Sequence, residues 1–426
     1  MKKCIVIGGG IAGLTSAAYL ANKDYHVTLL ESAPKLGGRA YSFKDKNLND
    51  DIDNGQHILM GCYADTLKFI NLIGAKDNFI YQNSIQVNFL KAGKSAIKLK
   101  AFGNLYPINL LVALLRFKAV TFQERLSIIR FMIKLPFVSN KKLKNVNVKE
   151  WLESEIQNES VVKSLWQIIA VGALNTSIEK ASAITFRDIL LKIFFRGNFA
   201  STIILPKYGL SQSYVNNAVD FIERKKEKVE LSSNVEELVV KENKVVEIRT
   251  SNKSYTDFDF VISAIPFYSL LKLLPENILD RDIDFEYSSI LNIHIWLKKN
   301  PFDESFYGLI DSPVHWIFNK DSHINLVISD ANYLMEKSSE EIYEMCLREL
   351  KLFTILAESD IQNYKVIKEK RATFIPTNKI INSRPSSKTK INNLFLAGDW
   401  IDTGLPSTLE SAVKSGRMAA ENVAAS

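Results

Sequence analysis

Cys4-Ile5-Val6-Ile7-Gly8-Gly9-Gly10-Ile11-Ala12-Gly13 is the stretch on which the fold turns. Cys4–Ile7 predicts a short apolar strand, and Gly8, Gly10 and Gly13 follow it at Gly-x-Gly-x-x-Gly spacing. Gly8 suits a tight turn, Gly10 a close approach of backbone to a pyrophosphate, and Gly13 close packing of the next helix on the strand. That helix is predicted from Ile11 to about Asn22, with its free N–H groups and dipole turned to the phosphates. Val27–Leu30 predicts a second strand ending at Glu31, an acid placed to accept from ribose hydroxyls and to repel a 2'-phosphate. A glycine-rich turn between two structural strands would not require Glu31 there. Strand, turn, helix, strand and acid in that order predict a dinucleotide site.

Working outward, 426 residues exceed one ordinary domain and predict two. An apolar fraction of 46% and a charged fraction of 24% are those of a folded globular chain. The net charge of +7 favours an anionic lipid surface modestly, and no basic tract carries a nucleic-acid motif, so no nucleic-acid partner is expected. Cys4, Cys62 and Cys346 are far apart, and the five histidines form no pair at a metal-binding interval, so no metal is expected. The basic start followed by an apolar run invites comparison with a signal peptide, but strand-turn-helix fits better than any cleavage pattern. A cytoplasmic chain without a transmembrane helix is expected.

Glu31-Ser32-Ala33-Pro34-Lys35-Leu36-Gly37-Gly38-Arg39-Ala40 resembles the segment after the second strand in flavoproteins of the amine oxidase and phytoene desaturase superfamily. The resemblance implies FAD, with Gly37 and Gly38 near the pyrophosphate and Arg39 supplying its guanidinium. An Arg fork suits phosphate oxygens. Ile11, Ala12, Ser32 and Lys35 lie in the same matched stretches and are expected around the cofactor. Asp51-Ile52-Asp53-Asn54-Gly55-Gln56-His57-Ile58-Leu59-Met60-Gly61, continued by Tyr63–Leu67, resembles the squalene-associated FAD-dependent desaturases, the group that includes hydroxysqualene dehydroxylases. It implies that Gly55, Gln56 and His57 lie against the flavin. Near the other end, Asn393-Leu394-Phe395-Leu396-Ala397-Gly398-Asp399-Trp400 predicts an apolar strand that delivers Gly398 and Asp399 at its C-terminal end, where open α/β sheets place ligands. By the resemblance Asp399 meets the ribityl or pyrophosphate part of FAD, and Pro406, Ser407, Thr408 and Leu409 open a helix beside the flavin ring. Val235 matches the position whose backbone meets the adenine edge.

Between these ends, Leu105–Phe137 is apolar with interspersed positive charge and predicts helices. They are read either as a lid over a lipophilic cavity touching a membrane or as core helices of the second domain. Lys163–Asn175, Ile184–Phe195 and Glu336–Ala357 predict further helices. Val229–Leu231, Val235–Val240 and Val245–Thr250 predict a small antiparallel insertion with a turn at Asn243. Phe258–Ala264 and Ile324–Ser329 predict strands, and Val366–Ala372 an edge strand. His294, in the alternating stretch Ser289–Leu297, is read as a half-buried strand histidine. The expected fold is α/β: a Rossmann-like FAD-binding domain from residues 1–75, 205–270 and 385–426, and a discontinuous α+β substrate domain from 76–204 and 271–384.

The resemblance implies reduction of hydroxysqualene to squalene, by loss of an allylic hydroxyl and hydride delivery from reduced flavin. His57 is the candidate acid, since imidazole donates protons near neutral pH. Asp53 would orient it, and Asp402 and Glu410 are rival acids. The other readings are a carotenoid or phytoene desaturase using oxidised FAD, an amine oxidase-like enzyme, and a flavin- or lipid-binding protein without catalysis. The expected partners are a long-chain isoprenoid, an electron donor that is either an external reductase or a nicotinamide cofactor, and the inner face of a membrane.

Overall fold

The structure, a computed structural model, describes residues 1–45, 50–274, 283–320 and 322–426. Residues 46–49, 275–282 and 321, which fall within the ranges expected for the two domains, lie outside the described residues. A five-stranded parallel sheet runs in the order Lys228–Glu230, His26–Leu30, Lys3–Ile7, Phe260–Ser263, Leu394–Leu396. Its central strands are mostly apolar because both faces are covered. The helix Ile11–Ala21 and the C-terminal helix Leu409–Ala424 pack together on one face. Their contact is close because Gly416 has no Cβ, which would stand 2.3 Å from the Ala12 carbonyl oxygen. Val235–Lys241 and Lys244–Thr250 form the expected hairpin, with Asn243 at φ 57° in its turn. Val229–Leu231 is a correction. Lys228–Glu230 pairs in parallel with His26–Leu30 as the edge of the main sheet, outside the antiparallel insertion.

A second sheet of seven strands runs Ile361–Phe374, Tyr287–Leu297, His323–Ile328, Trp316–Asn319, Phe306–Ile310, Gln86–Lys91, Ile97–Lys100. The segment Val366–Ala372 lies in the edge strand, as expected. One face, with Leu291, Ile293 and Ile295, packs against the helix Ser339–Leu350. The other, with Phe318 and Val327, meets a layer of helices. Because that second face is also covered, His294 is fully buried, correcting the half-buried reading. The helix expected over Glu336–Ala357 is shorter, since Ser338 and Glu341 make a capping box that starts it. The helical segments expected over Lys163–Asn175 and Ile184–Phe195 run to Leu174, with a π-turn at Val162–Trp166, and over Ala183–Phe194.

Leu105–Phe137 folds into the helices Ile108–Leu115 and Phe122–Lys134. Their inner residues Ala113, Ile128 and Phe131 belong to the core, whereas Ile108, Phe122, Leu126, Ile133 and Phe137 are exposed. The core-helix reading thus holds for the inner face of this segment. A cavity of about 210 Å³ opens between these helices and the end of Ala183–Phe194, walled by Leu110, Leu114, Met132, Trp166, Ile169 and Phe195. Among the described residues no helix is long and apolar enough to cross a membrane.

Candidate functional site

Local sterics build the nucleotide end. Gly13 is obligatory, because a Cβ there would stand 1.8 Å from the Gly8 carbonyl oxygen. Glu31 accepts from the Gly9 N–H at 2.6 Å and from the Ala33 N–H at 2.8 Å, tying the second strand to the glycine turn. Gly10 and Gly37 form a bridge, and a Cβ on Gly38 would lie 3.1 Å from the Gly10 Cα. The two glycine segments therefore face each other as bare backbone at the N-terminus of the helix that opens with Ile11 and Ala12. That is the surface a pyrophosphate needs. Ser32 donates to Glu31 at 3.1 Å, and Lys35 lies over the Tyr41 ring at 3.4 Å from its centroid. Val235 is buried at the start of its strand, paired with Thr250.

Arg39 links this turn to the C-terminal signature. Its guanidinium donates to Asp399 at 2.5 Å and to the Ala372 carbonyl at 2.7 Å. Ser407 donates to the other Asp399 oxygen. Burial alone would raise the Asp399 carboxyl, but Arg39 and Ser407 hold it below the usual carboxylate range. Residues Pro406 and Ser407 lead into the C-terminal helix, where Thr408 caps by accepting from the Ser411 N–H at 3.2 Å, and Leu409 begins the first turn. The positive end of that helix is aimed out of the Asp399 turn, where it favours negative charge on a bound ring.

Asp53–His57 lies between this nucleotide end and the seven-stranded sheet. Asn292 donates to the Asn54 carbonyl at 3.3 Å, and a Cβ on Gly55 would meet the Asn292 amide at 3.5 Å. Gln56 holds a buried amide nitrogen with no partner among the described residues, a donor suited to a ligand. Burial lowers His57 to about 4, so its imidazole is neutral at pH 7 and serves as a hydrogen-bonding group. Asp53 does not hold it. The Asp53 carboxylate accepts from Ser42 at 2.7 Å, the Leu210 N–H at 2.8 Å and Lys320 at 3.3 Å, and among the described residues no hydrogen bond joins it to His57. The rival acids are also engaged elsewhere. Glu410 accepts from the Asp65 and Thr66 N–H groups at 3.0 and 2.8 Å, capping the neighbouring helix Ala64–Leu72. Asp402 is exposed in a turn, accepting from Gly404 N–H at 3.1 Å and Arg384 at 3.4 Å. Sequence reasoning missed Lys320, Asn292 and His323, which strand pairing brings to this place from about 240–270 residues away along the chain. No local motif announces them.

A parallel sheet with a double-glycine cradle, an arginine–aspartate tie and a helix N-terminus behind it defines an FAD-dependent oxidoreductase of the amine oxidase and phytoene desaturase fold. The model for "Flavin containing amine oxidoreductase" matches residues 11–424, and the chain belongs to that family. The chain is 27% identical over 420 residues to a hydroxysqualene dehydroxylase of Zymomonas mobilis, covering 98% of this chain and 97% of that one. It is 24% identical to a chloroplastic 15-cis-phytoene desaturase of Glycine max, covering 98% and 79% respectively. Cyclohexylamine oxidase of Brevibacterium oxydans has the same fold, with a TM-score of 0.72, 15% identity and coverage of 100% and 99%. FAD is the cofactor, and the bare glycine backbone, the Arg39 fork and the free Gln56 amide fit it.

Proposed function

We propose that this enzyme is a hydroxysqualene dehydroxylase, converting hydroxysqualene to squalene. The observation that carries this reading is the end-to-end match to hydroxysqualene dehydroxylases, 97–99% of their length, with the apolar cavity lying among the surface helices. The desaturase relatives match over 77–80% of theirs.

Bound FAD would supply the hydride. The chain's own residues have three tasks. Gly8, Gly10, Gly13, Glu31, Gly37, Gly38, Arg39, Val235, Gly398 and Asp399 would seat the dinucleotide, with Ile11, Ala12, Ser32 and Lys35 around it. Gly55, Gln56, His57 and the turn Pro406–Leu409 would enclose the ring. His57, neutral and part-buried, would hydrogen-bond the substrate hydroxyl and lower the cost of its departure. The apolar wall limits water reaching an electron-poor carbon. The long-chain isoprenoid would come from the inner face of a membrane, and electrons from an external reductase or a nicotinamide cofactor.

Anaerobic incubation of the chemically reduced holoenzyme with hydroxysqualene, and in parallel of the oxidised holoenzyme with phytoene, tests the reading. Squalene is the expected product. Conversion of phytoene alone would establish the desaturase instead, the reading favoured by the weaker desaturase matches.

A further inference from the structure

Four side chains make a continuous line from the surface into the wall beside Asp53–His57. Asp50, part-exposed, accepts from Ser322 at 2.7 Å and from the Trp296 indole N–H at 3.0 Å. The exposed Ser322 hydroxyl is 3.0 Å from His323 Nδ1, with a longer contact of 3.4 Å to the Lys320 carbonyl. His323 Nε2 is 3.0 Å from His294 Nδ1. Both rings are buried, and His294 is fully enclosed. His294 stands beside the Asp53 backbone carbonyl, yet among the described residues its Nε2 has no aligned hydrogen-bond partner. The nearby Asn325 carbonyl oxygen, opposite His294 across the strands, is also buried without a partner. So is the Gln56 amide nitrogen. Unpaired buried polar atoms are costly, and the two opposite one another across these strands point to a ligand's polar group.

A proton count gives the line a direction. With Asp50 ionised and both imidazoles neutral, Ser322, His323 and His294 bring three protons. The gaps to fill are four: Asp50–Ser322, Ser322–His323, His323–His294 and the one beyond His294 Nε2. One gap is always empty, and each step of tautomerisation moves it by one place. A proton taken up at Asp50 emerges at His294 Nε2 without any heavy atom travelling.

We infer that Asp50, Ser322, His323 and His294 form a proton relay from the protein surface to the substrate pocket. Its use rests on the dehydroxylase reading. In that reaction the C–O bond breaks with its electron pair on oxygen, the carbon takes a hydride supplied by reduced flavin, and the oxygen takes one proton to leave as water. The relay supplies that proton. The charged groups around the imidazoles are Asp50 and Asp53 on one side of the balance and Lys320 and Lys365 on the other.

The test reads the tautomer of His294 by ¹⁵N NMR of histidine-labelled protein, without substrate. An ionised Asp50 draws the Ser322 proton, leaving His323 protonated at Nδ1 and His294 at Nδ1. Asp50→Leu leaves the Ser322 hydroxyl without that acceptor, so it donates to His323 Nδ1, the line reverses, and His294 is expected to carry its proton at Nε2. Ser322→Ala cuts the line and should likewise change the His294 tautomer population, so the proposal survives misfolding of either variant. An unchanged His294 tautomer in folded Asp50→Leu and Ser322→Ala overturns the relay. With FAD content held equal, both variants should form squalene at least about tenfold more slowly, and parental rates in both would also overturn it. A His294 that reverses in a protein inactive on hydroxysqualene supports the relay while removing the dehydroxylase reading. An unmoved His294 in an enzyme that makes squalene does the opposite.

Discussion

At the scale of single residues, the distance between two carbonyl-sized obstacles decides whether FAD binds. A Cβ at Gly13 meets the Gly8 oxygen at 1.8 Å, so Gly13→Ala must push the first helix off its strand. That variant is expected to lose roughly 2–4 kcal/mol of stability and to purify with little flavin colour. Gly74→Ala is the comparison: Gly74 has φ 70° but nothing within 4 Å, so only backbone strain of about 1–2 kcal/mol is added. If Gly13→Ala retained its flavin as Gly74→Ala does, the cradle would be looser than the packing implies. The glycines could be read from the chain because their role is local, set by neighbours within about one turn. Glu410 could not. It caps a helix that begins 346 residues earlier, and only the folded molecule shows that both its oxygens are taken.

Secondary-structure elements show the same division between local and distant causes. The helix expected from Glu336 starts instead at Ser339, where the Ser338–Glu341 capping box sets its first turn. Lys228–Glu230 was misplaced because its three residues carry no pattern that distinguishes a parallel edge from a hairpin arm; its partner His26–Leu30 decides. His294 was read as half-buried because alternation reveals that a strand has two faces, not that helices cover the second one. The surface helices make a firmer statement. Phe122, Leu126, Ile133 and Phe137 are exposed among Arg130, Lys134, Lys141 and Lys142, an apolar surface with a basic surround that suits anionic lipid. Ile133→Ser with Phe137→Ser should weaken flotation with anionic liposomes by at least about tenfold and leave thermal stability nearly unchanged. Equal flotation of parent and variant would assign membrane contact to some other face or to none.

For the whole molecule, histidine burial sets the response to acid. Burial, the leading cause in each case, lowers His57, His315 and His323 to about 4 and His294 to about 3. In the unfolded chain all four return to about 6.5. Their folded values are depressed, so as pH falls the unfolded chain binds protons first and stability declines from about pH 6.5 towards about pH 4. The Asp399 ion pair adds its own loss lower down, within the carboxylate range. Denaturant midpoints measured from about pH 7 to pH 5 should therefore fall steadily, with uptake on unfolding rising towards about four protons. A level midpoint down to pH 5 would mean that these rings charge freely in the native state. Another consequence concerns synthesis. The strand Lys3–Ile7 is separated from its sheet mate Phe260–Ser263 by most of the chain, and the strand Leu394–Leu396 and helix Leu409–Ala424 that finish that layer come last. On a ribosome moving at 5–20 residues per second, the nascent glycine turn waits ~20–80 s for them. Flavin capture thus waits until residues 394–424 have been made, and until then the apolar side of the first helix lacks the cover of Leu409–Ala424.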